Sequence, residues 1–160
     1  MHHRTAVFSF PRSGWVGSDN ITPVQPVAVV VCLPVEDPER SLRFYRDGLE
    51  LSTTGVEDGI VAFELPNLSL FLIERREYAR YIERAGLTRP PSAPGAVVIS
   101  CAIGARDELD YTLGRAAAAG GSVARPAATL DGAYTGYFSD PDGHLWELVF
   151  NSRTESTAAQ

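Results

Sequence analysis

Glu147 is an acidic side chain in a strongly apolar setting, within the segment YTGYFSDPDGHLWELVFN. The apolar and aromatic residues around it, Leu145–Phe150, have the composition of a β-strand, whose side chains alternate between two faces. Trp146 and Leu148 then share one face, which we expect to pack against a helix, and Glu147 points to the other. A carboxylate placed there can bind a cation, act as a general base or accept hydrogen bonds.

A tight turn is predicted just before this strand. Residues 140–143 read Asp-Pro-Asp-Gly, in which aspartate can start the turn, proline suits its first central position and glycine tolerates the positive φ that closes it. Residues 134–139 are rich in the aromatic residues typical of a strand. The pattern therefore predicts a hairpin that presents Glu147, with His144 bracing the turn on the opposite face.

The same order of predicted elements occurs twice in the chain. In the first half a strand at 27–35 precedes a helix that begins with Asp37 at its N-cap and Pro38 at its first position, and that ends near Gly48. A short segment at 51–54 and strands at 59–65 and 68–74 follow. The second half has a strand at 96–103, a helix at 107–119, a short strand at 122–125 and the hairpin. Each half is predicted to be a βαβββ module, and the fold class to be α+β.

This repeat divides the chain into five segments. They are an N-terminal arm at 1–25, a first module at 26–74, a linker with a helix at 75–95, a second module at 96–152 and a disordered tail at 153–160. A module of about 50 residues is marginal by itself, so we expect the two to share a core. Pairing within one chain and pairing between two chains both remain open at this point.

Composition narrows the classes of function. The 160 residues are 44% hydrophobic and 21% charged, which suits one globular domain or two fused modules. A net charge of -6 gives no general attraction to nucleic acid or to an anionic membrane. No apolar run approaches the roughly 18 to 20 residues that span a bilayer, and the N-terminal arm lacks the apolar core of a signal peptide. Cys32 and Cys101 lie in predicted strands without a CxxC spacing, so we expect a cytoplasmic protein with buried thiols.

Three strings carry a family resemblance: LPVEDPERSLRFYRDGLEL in the first module, and AAAAGGSVARP and GYFSDPDGHLWELVFN in the second. Over residues 27–151 the chain resembles the vicinal oxygen chelate superfamily, which includes glyoxalase I, ring-cleaving dioxygenases, fosfomycin-modifying enzymes and bleomycin-binding resistance proteins. The resemblance implies that the two modules form a curved mixed sheet, the glyoxalase/bleomycin-resistance fold, with helices on the outer face and a cleft inside. It also implies a homodimer.

Metal-dependent members of that superfamily hold a divalent ion with four side chains on the concave face of the sheet. By resemblance, these four positions fall on Val30, Phe71, Val98 and Glu147. Valine and phenylalanine have no lone pairs to donate, and no histidine lies between His3 and His144 in the sequence. We therefore expect no cofactor, and a divalent metal bound through Glu147 is the alternative.

An apolar cleft is predicted in place of the metal site, with a few polar atoms of the kind that orient an organic ligand. The predicted lining residues are Val30, Cys32, Phe71, Val98, Ser100, Tyr134, Tyr137 and Glu147. We expect Glu147 to be the single ionisable group fixed on this lining. Three roles are open for Glu147: a ligand contact, a catalytic acid or base, or a remnant satisfied by a hydrogen bond or an ion pair. If its carboxyl is desolvated beside Phe71, its pKa should rise.

Other predicted features are structural. No histidine is paired with Cys32, so this residue is interpreted as a structural thiol rather than a nucleophile. The stretch 131–133 is interpreted as a mobile loop beside the cleft.

Two functional classes are consistent with these residues. The first is a binding or sequestering protein of the bleomycin-resistance kind, which takes up a small aromatic or natural-product ligand; the acidic balance favours a ligand with basic or polar nitrogen. The alternative is a glyoxalase-type lyase, isomerase or dioxygenase that uses Glu147 as a base or metal ligand. In either class the expected partners are a small molecule and a second copy of the chain, without nucleic acid or membrane.

Overall fold

The computed structural model describes residues 26, 28–87 and 97–151. The predicted N-terminal arm, the end of the predicted linker and the predicted tail lie outside the described residues. The first module contains β1 (Val30–Val35), α1 (Pro38–Leu42), a π-helical segment (Arg43–Gly48), β2 (Val56–Glu57), β3 (Ile60–Leu65) and β4 (Leu68–Glu74). The linker helix is α2 (Arg75–Arg84). The second module contains β5 (Val98–Ala102), α3 (Arg106–Ala118), β6 (Ala128–Leu130), β7 (Ala133–Ser139) and β8 (Leu145–Phe150).

The strands form two four-stranded sheets with the same plan. The first has the order β1-β4-β3-β2 and the second the order β5-β8-β7-β6. In each sheet the first and last strands of the module pair in parallel, and the remaining pairs are antiparallel. This confirms the α+β fold with two βαβββ modules. Among the described residues, no strand of one sheet pairs with a strand of the other. No helix in this part of the chain is long and apolar enough to cross a membrane.

The helical start predicted at Asp37 is confirmed. Asp37 has an extended backbone, and its carboxylate accepts hydrogen bonds from the amides of Glu39 (3.0 Å) and Arg40 (3.1 Å). These bonds satisfy amide groups that have no partner within the helix, and Pro38 takes the first helical position. The helix then widens into the π-helical segment, which contains two adjacent aromatic residues, Phe44 and Tyr45, that are 1% and 0% exposed.

These two aromatic residues join the modules through one core. The Tyr45 ring lies 5.4 Å from Phe63 of the first sheet and 5.8 Å from Trp146 of the second. The Phe44 ring lies 6.2 Å from Phe138 of the second sheet. The predicted packing of Trp146 against a helical segment is therefore confirmed. Because one helical segment packs on both sheets, burial on this side stabilises both modules together.

The region between α3 and β7 differs from the prediction. In place of the short strand predicted at 122–125, Ser122 makes only an isolated bridge to Ser139. The short strand of the second module is β6, which lies further along the chain. The predicted loop at 131–133 begins with Asp131 and Gly132, whose φ angles of 49° and 86° form a two-residue hairpin turn between β6 and β7. Aspartate followed by glycine suits such a turn because both central positions need a positive φ. The stretch interpreted as a loop is therefore a tight turn followed by the first residue of β7.

Candidate functional site

The predicted site residues of the first sheet lie on the face opposite the buried core. Strand register places Val30 beside Ser69, and Cys32 beside Phe71. These residues alternate with the buried Leu70 of β4, so they share the other face. Val30 is 44% exposed, so the described part of the chain leaves this end of the face open.

The corresponding face of the second sheet carries three adjacent polar side chains. Register aligns Ser100 of β5 with Glu147 of β8, and Glu147 with Tyr137 of β7. Ser100 Oγ donates to Glu147 Oε2 at 2.6 Å, and Tyr137 Oη donates to Glu147 Oε1 at 2.6 Å. We call Ser100, Glu147 and Tyr137 the polar row. The neighbouring Val98 is 47% exposed and Tyr137 is 40% exposed, so this face is open as well.

The polar row determines the protonation of Glu147. Hydrogen bonds from Ser100 and then Tyr137 lower the pKa of Glu147 below its usual value, and they outweigh the opposing effect of burial. The hydrogen bond to Glu147 raises the pKa of Tyr137, which keeps the phenol protonated as a donor. The condition for a raised pKa, desolvation of the carboxyl beside Phe71, is therefore not met, because the carboxylate lies near the surface and the two hydroxyl donors lower its pKa. A carboxylate with a lowered pKa is ionised at neutral pH and is a weak general base.

Tyr134 does not lie with the polar row. It is three residues from Tyr137 along β7, so strand alternation turns it to the opposite face. Its hydroxyl donates to Asp110 of α3 at 2.8 Å, and the guanidinium of Arg106 lies 4.7 Å from the centre of its ring. The prediction that Tyr134 shares a pocket lining with Glu147 was wrong, because two residues three positions apart in one strand lie on opposite faces and Tyr137 takes the face of Glu147.

The contacts of the two cysteine thiols and of His144 indicate structural roles. Both cysteines are free and partly buried, and burial raises the pKa of Cys32 and of Cys101, which disfavours the reactive thiolate. His144 Nε2 lies 2.7 Å from the carbonyl oxygen of Pro34 in β1. This histidine braces the hairpin turn against the first module, as predicted.

The turn at residues 140–143 also ties the modules together through two aspartates. Asp140 is buried, with 3% of its surface exposed. Its carboxylate accepts hydrogen bonds from Tyr45 Oη (2.7 Å) and from the amides of Asp142 (2.9 Å) and His144 (2.8 Å). Burial, followed by the charge of Asp140, raises the pKa of Tyr45 well above its usual value, so this phenol remains a donor.

Asp142 extends this contact to the start of α1. Its side chain is 2% exposed and accepts hydrogen bonds from the amide of Glu36 (2.9 Å), from Arg40 (2.8 Å) and from Ser41 (3.2 Å). These partners lie more than 100 residues away along the chain. The Asp-Pro-Asp-Gly signal predicted the turn, but nothing local in the sequence indicated the partners of its aspartates.

A second acid, missed in the sequence, lies on the corresponding face of the first sheet. Glu64 of β3 aligns with Ser69 of β4, and Ser69 Oγ donates to Glu64 Oε2 at 2.6 Å. Glu147 is therefore not the single ionisable group on the two faces. Alternation about the buried Phe63 could have placed Glu64 on this face, because the two residues are neighbours in a predicted strand.

The donor set does not fit the metal centre of the superfamily. Of Val30, Phe71, Val98 and Glu147, only Glu147 carries an oxygen that can coordinate an ion. Within the described ranges, no three residues among histidine, cysteine, aspartate and glutamate come together as potential ligands. No reaction step through a bound metal follows from these residues.

A shallow cleft lies away from the predicted site residues. It is lined by Gly48, Leu49, Glu50, Tyr111, Thr112 and Arg115. The guanidinium of Arg115 donates to the carbonyl oxygens of Gly48 (2.8 Å) and Asp47, at the end of the π-helical segment. These bonds satisfy carbonyl groups that the end of a helix leaves without partners. We assign this cleft to packing between the modules.

Solved structures with a similar fold match most of the chain. A glyoxalase-related enzyme from Fulvimarina pelagi is 31% identical, with a TM-score of 0.70 over 80% of this chain and 89% of that chain. A glyoxalase/bleomycin resistance protein/dioxygenase from Nocardioides is 28% identical, with a TM-score of 0.62 over 81% and 86% of the two chains. A lactoylglutathione lyase from Agrobacterium tumefaciens, 24% identical with a TM-score of 0.59 over 79% and 95%, shares the fold.

The family comparison agrees with these structures. No curated protein matches the chain. The model of the Glyoxalase/Bleomycin resistance protein/Dioxygenase superfamily matches residues 27–148, which include the polar row and both sheets except the last two residues of β8. On this match and the two βαβββ modules, the chain belongs to the Glyoxalase/Bleomycin resistance protein/Dioxygenase superfamily.

Proposed function

We propose that this protein binds a small organic ligand, aromatic or natural-product in character, for resistance or sequestration, and that it does so without a metal. The observation that carries the proposal is the chemistry of four positions. Val30, Phe71 and Val98 offer apolar surface, and Glu147 offers a carboxylate already held by two hydroxyl groups. A mostly apolar surface with a few fixed polar atoms suits an organic ligand.

The proposal includes a homodimer. The described residues of one chain leave the sheet faces open, with Val30 44% and Val98 47% exposed. A second copy over these faces would enclose the ligand and remove apolar surface from water. Sedimentation or light scattering at several protein concentrations tests this part of the proposal, and a monomer at all concentrations would contradict it. The two free thiols support a reducing compartment, so we also propose a cytoplasmic location.

The proposed function is tested by metal analysis and by ligand screening. Protein purified without chelator is expected to carry no stoichiometric metal. A ligand present at 100 times its Kd should stabilise the protein by about 2.7 kcal/mol in a thermal-shift screen of aromatic natural products. Stoichiometric zinc, nickel, iron or manganese that is lost in Glu147→Gln would overturn the proposal, and so would a screen in which no compound shifts the transition.

A second candidate is an enzyme of the glyoxalase type that uses Glu147 as a base or metal ligand. Its support is the 31% identity to a structure described as a glyoxalase-related enzyme. The lowered pKa of Glu147 makes the base role weaker than the binding role. This candidate would be favoured if the protein turned over a methylglyoxal–glutathione adduct and Glu147→Gln abolished the turnover. The control is Glu83→Gln, which removes the same charge from exposed α2 and should retain the turnover.

A further inference from the structure

Glu147 has no positively charged partner in the part of the chain that the structure describes. Its two carboxylate oxygens accept hydrogen bonds only from the neutral hydroxyls of Ser100 and Tyr137. The ion pairs among the described residues join arginines to other acids. Neutral donors orient a carboxylate without cancelling its charge, and each oxygen keeps a further lone pair. The polar row therefore presents an uncompensated anion to solvent.

The surroundings of this anion are mostly apolar, with Thr135 and Ser139 of β7 as the polar members of the flanking rows. Along the same face, Val98 is paired with Leu145 on one side of the row, and Ala102 is paired with Val149 on the other. Val98 and Ala102 are both exposed. A negative charge within an exposed apolar patch suits a ligand that combines a positive group with an apolar body, because either group alone would leave half of the surface unmatched.

The row is also rigid enough to recognise a group of defined geometry. Its three members lie on β5, β8 and β7, which are hydrogen-bonded neighbours in one sheet. Both hydroxyl donors are already bound to the carboxylate, so little ordering is required when a ligand arrives. Tyr137 is 40% exposed, and its ring adds an aromatic surface that attracts cations.

We propose that the ligand carries a protonated amine, and that the amine donates hydrogen bonds to Glu147 while the apolar body of the same molecule covers the patch around Val98 and Val149. This inference rests on the proposed function and narrows its ligand class to cationic amines with an aromatic or aliphatic body. The net charge of -6 on the chain favours the approach of such a cation.

Matched pairs of amine and alcohol test this inference. Tryptamine and tryptophol share one ring system, as do phenethylamine and 2-phenylethanol, and in each pair only the first compound is a cation at neutral pH. In calorimetric titrations each amine is expected to bind at least about tenfold more tightly than its alcohol, as for a charge-assisted hydrogen bond. This preference should vanish in Glu147→Gln, which preserves shape, and persist in Glu83→Gln, which changes the net charge equally. Carbon NMR of the Glu147 carboxyl should report the amine directly.

The outcomes separate this inference from the proposed function. If the alcohols bind as tightly as the amines, or if only neutral library compounds bind, the amine inference fails and the organic-ligand function stands. If no member of the pairs and no library compound binds, both fail. An amine preference that survives Glu147→Gln, or that Glu83→Gln reduces equally, overturns the assignment to Glu147. The assignment to an amine site would also be overturned if zinc or magnesium alone bound the Glu147 carboxyl as tightly as tryptamine does.

Discussion

The two sheets share a backbone plan but carry different chemistry on the face opposite the helices. The central row of this face contains Cys32, Phe71 and Ala62 in the first sheet, and Ser100, Glu147 and Tyr137 in the second. Strand order and the direction of each pairing are the same in both sheets. The backbone plan depends on the residues that face the shared core, so the opposite face is free to carry an apolar row in one module and a fixed carboxylate in the other.

Truncating Tyr45 should have the largest effect, because both sheets pack on this residue. Tyr45→Ala removes a fully buried ring that contacts Phe63 and Trp146, and it should lower the free energy of unfolding by about 3 to 5 kcal/mol. Denaturant unfolding followed by tryptophan fluorescence and by circular dichroism should show one transition in the wild type. Tyr81→Ala, at a residue 40% exposed, should change stability by about 0.5 kcal/mol or less. Separate transitions for the two modules would contradict the shared core.

The two equivalent hairpin turns should respond differently to substitution. Asp142→Ala removes a carboxylate that is 2% exposed and accepts hydrogen bonds from Arg40 and Ser41, and it should cost about 1.5 to 3 kcal/mol. Asn67→Ala changes an exposed residue in the corresponding turn of the first sheet and should cost about 0.5 kcal/mol or less. Equal effects in chemical denaturation would show that the second turn does not tie the modules together.

Gly136 marks a difference on the core side of the sheets. A Cβ at this position would lie 2.6 Å from Leu113 Cδ1 and 3.0 Å from Leu109 Cδ2, both on buried residues of α3. Gly136→Ala should therefore cost about 1 to 3 kcal/mol through overpacking. The equivalent position of the first sheet holds Val61, which is fully buried and has room for its side chain. An alanine variant as stable as the wild type in thermal unfolding would mean that α3 moves outward without cost.

The smallest effect concerns the pH dependence of Glu147, whose counterpart Phe71 cannot titrate. Because the folded state lowers the pKa of Glu147, its stabilisation is present above the usual glutamate pKa of about 4.3 and is lost as pH falls through the lower folded value. We expect less than about 1 kcal/mol, since the group lies near the surface. Carbon NMR titration should show the pKa rising toward its usual value in Ser100→Ala and in Tyr137→Phe. A wild-type pKa at or above the usual value would contradict the effect of the row.

Local sequence signals predicted much of the fold. The helix start at Asp37 and Pro38 and the turn before β8 were recoverable because capping and turn geometry depend on residues a few positions apart. The turn at Asp131 and Gly132 carried an equally local signal, which the loop interpretation overlooked. The placement of Glu147 on the face opposite Trp146 followed from strand alternation alone.

The partners of these residues were decided by tertiary structure. Ser100 precedes Glu147 by 47 residues, and it meets the carboxylate only because the chain returns through α3 to pair β5 with β8 in a particular register. Asp142 meets Arg40 across 102 residues for a similar reason. By itself the sequence determined the two modules, their turns and the position of one acid. Only the packed structure decided that this acid is an ionised carboxylate held by hydroxyl groups, because hydrogen bonds and burial, which set its pKa, depend on contacts between distant strands.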